Sequence, residues 1–133
     1  MFVDSHAHLE GPRFDSDRDE VIARARENGI RTILAIGTGD GPGTLDCAIK
    51  IANKYDFIYA TVGIHPHEVK LANESDFQEL ETLAQNPKVI AWGEIGLDYF
   101  YDHSPRFAAA GVHPANGTGA SGEAAYRHTL PPF

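Results

Sequence analysis

Four short apolar runs recur along the chain, each divided from the next by a segment of helical character, and no other feature constrains the fold as much. The first is Phe2-Val3. The second, Arg31 to Ile36, is almost continuously apolar, as a strand covered on both faces is. The third, Phe57 to Ile64, is rich in the β-branched and aromatic residues Ile58, Tyr59, Thr61 and Val62, and Val89 to Trp92 opens the fourth. Between them the pattern changes to a helical one. Asp15 to Asn28 reads as a charged helix with Val21, Ile22 and Ala25 on one face, and Gly29 stops it. Leu45, Ala48, Ile49 and Ala52 fall at i, i+3, i+4 and i+7 and draw one apolar stripe. Ser75 and Gln78 have capping-box spacing ahead of Phe77, Leu80 and Ala84, which recur at helical intervals. Strand and helix in alternation make consecutive βαβ units, whose right-handed crossovers force a parallel sheet. The fold class is α/β, with about four βα units.

Composition narrows the function. A chain of 133 residues with 42% hydrophobic and 23% charged side chains has the make-up of one globular domain. Its formal charge of −8 lacks the basic surplus that drives non-specific phosphate binding, which excludes a simple basic DNA-coating protein. A single cysteine, Cys47, excludes a disulfide framework and a four-cysteine zinc module, and a reducing compartment, the cytoplasm, is expected. No apolar run approaches the roughly 18 residues that span a bilayer, so no membrane role is expected.

The chemistry-bearing residues cluster where these runs end. In Asp4-Ser5-His6-Ala7-His8 two imidazoles stand at i, i+2 just past the first strand, so both point the same way. That spacing suits chelation of Zn²⁺ or a similar ion, and solvated loop histidines are the simpler alternative. The third strand closes in Gly63-Ile64-His65-Pro66-His67, again with paired histidines. The fourth runs into Trp92-Gly93-Glu94-Ile95, a carboxylate in a glycine-flanked apolar stretch where an unpaired charge is costly. One metal, two metals bridged by Glu94, or a salt bridge to Arg or Lys would each stabilise it. Asp98 and Asp102 follow in a loop, as substrate contacts, partners of a histidine, or solvated groups. His6, His8, His65, His67 and Glu94 thus come from separate strand ends on one edge of a sheet, where α/β folds open their active sites. Metal-assisted hydrolysis is the favoured reaction class.

Met1-Phe2-Val3-Asp4-Ser5-His6-Ala7-His8-Leu9, Val62-Gly63-Ile64-His65-Pro66-His67, and Gly93-Glu94-Ile95-Gly96-Leu97-Asp98-Tyr99 through His103-Ser104-Pro105 together resemble the TatD-type metal-dependent deoxyribonucleases. The resemblance covers residues 1–106. It implies a TIM barrel of the amidohydrolase kind that binds one or two divalent metal ions (Zn, Mg or Mn) and hydrolyses phosphodiester bonds of DNA. It maps metal ligands onto His6 and His8, and the bridging, catalytic carboxylate onto Glu94. His65, His67 and Asp98 are the expected substrate-binding residues. With the acidic balance of this chain, DNA would be held by local basic residues and by the metals, weakly and in a salt-sensitive way. Two other readings stand beside it: an ester or amide hydrolase such as an aminoacyl-tRNA deacylase on the same fold and metals, and a non-catalytic α/β fragment or binding module.

A full barrel needs about 250 residues, so only its N-terminal half, in residues 1–106, is expected here, followed by an irregular C-terminal tail. Residues 107–133 contain two charged side chains, Glu123 and Arg127, and no strand or helix period. Back-translated and shifted one base downstream, Tyr126-Arg127-His128-Thr129-Leu130 permits Ile-Val-Ile-His, the end of a fifth strand. A frameshift near Arg106 is therefore expected. A half barrel leaves apolar strand edges unpaired, and much of the inward face of Val62, Ile64 and Trp92 is expected to be exposed unless the tail or a second copy covers it. Marginal stability or self-association, and loss of activity in this chain alone, are the expectations.

Overall fold

The computed structural model describes residues 1–96, 100, 101 and 103. Asp98, Asp102 and the tail from residue 107 lie outside these described residues. The elements are β1 (Phe2–Ala7), α1 (Arg18–Glu27), β2 (Ile30–Ala35), α2 (Cys47–Ala52), β3 (Ile58–Val62), α3 (Glu74–Leu83) and β4 (Val89–Trp92), with single 3₁₀ turns before α1, α2 and α3. The strands form one four-stranded sheet in the order β1-β2-β3-β4, and all three pairings are parallel. This is the architecture of the first half of a (β/α)8 barrel. Among the described residues, no helix is long and apolar enough to cross a membrane.

The sheet and the helices meet in one core. Ile33 and Ala35 of β2 pair in register with Ile58 and Ala60 of β3, and all four are buried together with Ala48, Ile49, Ile51 and Ala52 of α2. Leu45, in the turn before α2, completes the stripe expected from the sequence. Ile22 of α1 and Leu80 of α3 are the buried anchors of their helices. Burying a side chain of that size contributes about 1.5–3 kcal/mol relative to leaving it exposed.

Several boundaries differ from the sequence-based expectation. The first strand runs through His6 rather than ending at Val3, because its backbone pairs with β2 as far as Ala7. The first helix begins at Arg18, since Pro12–Phe14 form a separate 3₁₀ turn. The cap of α3 is Asn73, not Ser75. Asn73 is extended, its Oδ1 accepts from the Ser75 N–H at 2.9 Å, and the Asp76 carboxylate accepts from the Asn73 N–H at 2.7 Å.

The expected exposure of Val62 and Ile64 is not observed, as both are fully buried. Side chains alternate between the two faces of a strand, and Val62 shares the parity of Ile58 and Ala60, which face the helices. Val62 is therefore not an inward-facing residue, and Ile64 belongs to the same core. Within the sheet, the large apolar side chains more than half exposed are on the two outer strands instead: Phe2, Val3 and Ile90.

The C-terminal ends of three strands are bound together by Thr61. Its hydroxyl accepts from the Gly37 N–H at 3.1 Å, just beyond β2, and donates to the Gly93 carbonyl at 2.9 Å, just beyond β4. The backbones approach so closely that only glycine fits. A Cβ at Gly63 would lie 2.8 Å from the Gly93 oxygen, and one at Gly37 would run into the Thr61 carbonyl oxygen. Thr61→Val keeps the shape and removes both hydrogen bonds, leaving buried polar groups unpaired. It is expected to destabilise the chain by about 1–3 kcal/mol, read as a lower urea midpoint at unchanged slope.

Candidate metal centre

Two strands at opposite edges of the sheet supply the site. His6 lies near the end of β1 and His8 one residue beyond it, and strand alternation turns both rings to one side. Glu94 stands two residues past β4, after a cis Gly93–Glu94 peptide bond. His6 Nε2 is 3.2 Å from His8 Nε2 and 3.1 Å from Glu94 Oε1, and His8 Nε2 is 3.7 Å from Glu94 Oε2. Among the described residues, these three form a group whose possible ligand atoms all lie within 4.8 Å of one another.

The donor set fits a divalent cation. At metal–ligand bonds of about 2.0–2.1 Å, tetrahedral geometry puts two nitrogens roughly 3.3 Å apart, close to the observed separation of the imidazoles. Two neutral imidazoles and one carboxylate also match the three protein ligands that catalytic zinc sites use with an open fourth position. Glu94 is less enclosed than its apolar neighbours suggest, with 31% of its side chain exposed, and it meets histidines rather than the Arg or Lys that a structural salt bridge would supply. Thr38, buried in the loop after β2, donates weakly to Glu94 Oε2 at 3.5 Å.

A cleft of about 510 Å³ opens beside the group, lined by His8, Glu10, Thr38, Asp40, His65, His67, Glu68 and Glu94 among others. The structure thus brings His65 and His67 to the same cleft as the ligand candidates. His65 Nδ1 accepts from the His67 N–H at 3.1 Å, which orients the ring, and the His67 ring touches those of Tyr101 and His103. Asp98 falls outside the described residues.

Glu10, Thr38, Asp40 and Glu68 were not singled out from the sequence. Glu10 continues the alternation of His6 and His8 by one further step, a signal that was available. Thr38 and Asp40 sit in the loop after β2, a strand end that carries no histidine. Glu10 also touches the chemistry of the lone cysteine. Burial, with the Glu10 carboxylate adding to it, pushes the Cys47 thiol up to about 11.

Comparison with known proteins finds similar chains. The family model described as TatD related DNase matches residues 3–110. An uncharacterized metal-dependent hydrolase, YabD, of Bacillus subtilis is 41% identical over 106 residues, which are 80% of this chain and 41% of that protein. The 3'-5' ssDNA/RNA exonuclease TatD of Cronobacter turicensis is 39% identical over 92 residues, 69% of this chain and 34% of the relative. A crystal structure of YJJV, a TatD homologue from Escherichia coli, superposes with a TM-score of 0.73 at 27% identity, covering 84% of this chain and 43% of that one. The chain thus spans less than half the length of each of these relatives.

A raised thiol pKa keeps Cys47 protonated, and only the thiolate is nucleophilic. Iodoacetamide is therefore expected to label Cys47 far more slowly than a free cysteine at neutral pH, with the rate rising as pH approaches about 11. Mass spectrometry of a pH series reads this directly.

Proposed function

The chain belongs to the TatD-related DNase family, and from that premise we propose that His6, His8 and Glu94 hold one or two divalent ions (Zn, Mg or Mn) for hydrolysis of phosphodiester bonds in DNA. The observation that carries this reading is the approach of two imidazoles and a carboxylate, from opposite edges of the sheet, to within coordinating distance of one another. When bound, such an ion polarises a phosphoryl oxygen and lowers the pKa of water. Glu94 would supply the carboxylate that holds the ion beside the two imidazoles. His65 and His67, on the wall of the adjoining cleft, would contact the substrate, and Asp98 is proposed for the same role from the sequence. Support for a nucleic-acid substrate comes from the relatives named as 3'-5' ssDNA/RNA exonucleases.

We propose further that this chain by itself turns over little DNA, since three ligands on half a barrel leave the ion incompletely held. The exposed apolar side chains of Phe2, Val3 and Ile90 on the outer strands favour self-association. Residues 1–106 constitute the family domain in this reading, and residues 107–133 are a frame-shifted tail. The composition of the tail and the end of the family match at residue 110 support that division. Repeated DNA reads across the Arg106 junction that show an intact frame, with no nearby indel restoring the family's sequence, would defeat it.

Calorimetric titration with Zn²⁺ or Mn²⁺ is expected to show binding by the chain, lost or weakened by at least about tenfold in His6→Ala and Glu94→Gln. No binding by the unsubstituted chain would remove the metal reading. Sedimentation velocity is expected to show concentration-dependent association, and a monomer with a high cooperative melting midpoint would contradict it. DNA cleavage at an ordinary enzymatic rate, abolished by His6→Ala, would overturn the proposed inactivity. In a protein translated through the restored frame, turnover of single-stranded DNA is expected. Turnover of misacylated tRNA in its place would transfer the site to ester hydrolysis.

A further inference from the structure

We infer that Glu10 is a positioning residue for His8: its carboxylate holds the proton on His8 Nδ1, so that the Nε2 lone pair faces His6 and Glu94. The inference rests on the metal reading above. His8 Nδ1 donates to Glu10 Oε1 at 3.0 Å, while Nε2 of the same ring stands 3.2 Å from His6 Nε2. Each imidazole nitrogen thus has one job, and which of them carries the proton is set by the partner of the other.

The surroundings of Glu10 leave its charge for this purpose. Only 14% of its side chain is exposed, and its second oxygen, Oε2, is buried without a hydrogen bond. A carboxylate so placed is costly unless something cationic compensates it. Arg18 is the cation at hand, yet its guanidinium is engaged elsewhere. Its Nε donates to the Leu9 carbonyl at 2.7 Å, and its Nη2 reaches the Gly11 carbonyl at 3.4 Å and the Asp15 carboxylate at 2.7 Å. Arg18 therefore fixes the backbone on both sides of Glu10 without neutralising its side chain. The compensation is relayed through the imidazole. A carboxylate on the far nitrogen makes a histidine a better and better-aimed ligand, and a bound cation in turn stabilises the buried carboxylate.

Two substitutions in the full chain test this. Long-range ¹H–¹⁵N correlation spectra at mildly alkaline pH, without metal, report the tautomer of each histidine. The unsubstituted chain is expected to carry the His8 proton on Nδ1, and Glu10→Ala to shift it toward Nε2. Zinc affinity by calorimetry is expected to fall about 10- to 100-fold in Glu10→Ala, with Glu10→Gln recovering part of the loss because its amide oxygen still accepts the proton. A role confined to packing would lower the melting midpoint of the metal-free protein and leave the tautomer alone. The nearly isosteric Glu10→Gln keeps both measurements accessible if the alanine variant does not fold. His8 protonated on Nε2 in the unsubstituted chain, or zinc binding undiminished in both variants, would overturn the inference. An unsubstituted chain that binds no zinc would defeat the metal reading instead, and the tautomer would still decide the role of Glu10.

Discussion

The site exists because the sheet curls. β1 and β4 are the outer strands of four, and adjacent strands lie about 4.8 Å apart, so a flat sheet would hold their paths roughly 14 Å from each other. His6 and Glu94 nonetheless meet at 3.1 Å. A sheet bent toward its inner face, as barrel closure demands, carries the two outer strand ends toward each other, and the histidine and glutamate side chains cover what distance remains. The meeting of the Glu94 carboxylate with the two imidazoles follows from that bend.

Thr61 and the glycines around it show how the bend is held. One hydroxyl, accepting from one strand end and donating to another, ties the tips of β2, β3 and β4 where the ladder hydrogen bonds give out. Glycines at 37 and 63 let those backbones come closer than any side chain would permit. The residue following Gly93 is Glu94, so the clamp that shapes the rim also sets the position of the carboxylate. Stability and the geometry of the candidate site share the same few atoms here, at the rim of a sheet whose helix-covered face is sealed by Ile33, Ile58, Ala60 and Val62 against α2.

Much of this was legible in the residues. The stripe of Leu45, Ala48, Ile49 and Ala52 predicted a helix face that is fully buried, and the apolar runs predicted four parallel strands. Residues His6, His8 and Glu94 stood out because chelating side chains at strand ends are chemically conspicuous. Glu10 continues the alternation of the two histidines by one step, but that signal is weak, because a glutamate after a leucine looks like any surface acid until its burial is known. Nor could the facing of Val62 be read: a continuous apolar run carries no alternation to say which side is inward. At the start of α3 the spacing of Ser75 and Gln78 suggested the cap, and only the extended backbone of Asn73, with its bonds to Ser75 and Asp76, places it two residues earlier.

Local spacing, then, determined the element order, the parallel sheet, the helix stripes and the identity of the ligand candidates, since these depend on the 2.0 and 3.6 periods and on side-chain chemistry alone. Tertiary structure decided which donor atoms converge, that the partners of Glu94 are imidazoles rather than guanidinium or ammonium groups, and that a buried carboxylate stands behind His8. The contacts of Glu94 are distances between residues far apart in sequence, and the burial of Glu10 is a property of the packed fold rather than of its two-residue spacing from His8. They are set by the curvature of the sheet and by which face of each strand the helices cover, and no local pattern encodes either one.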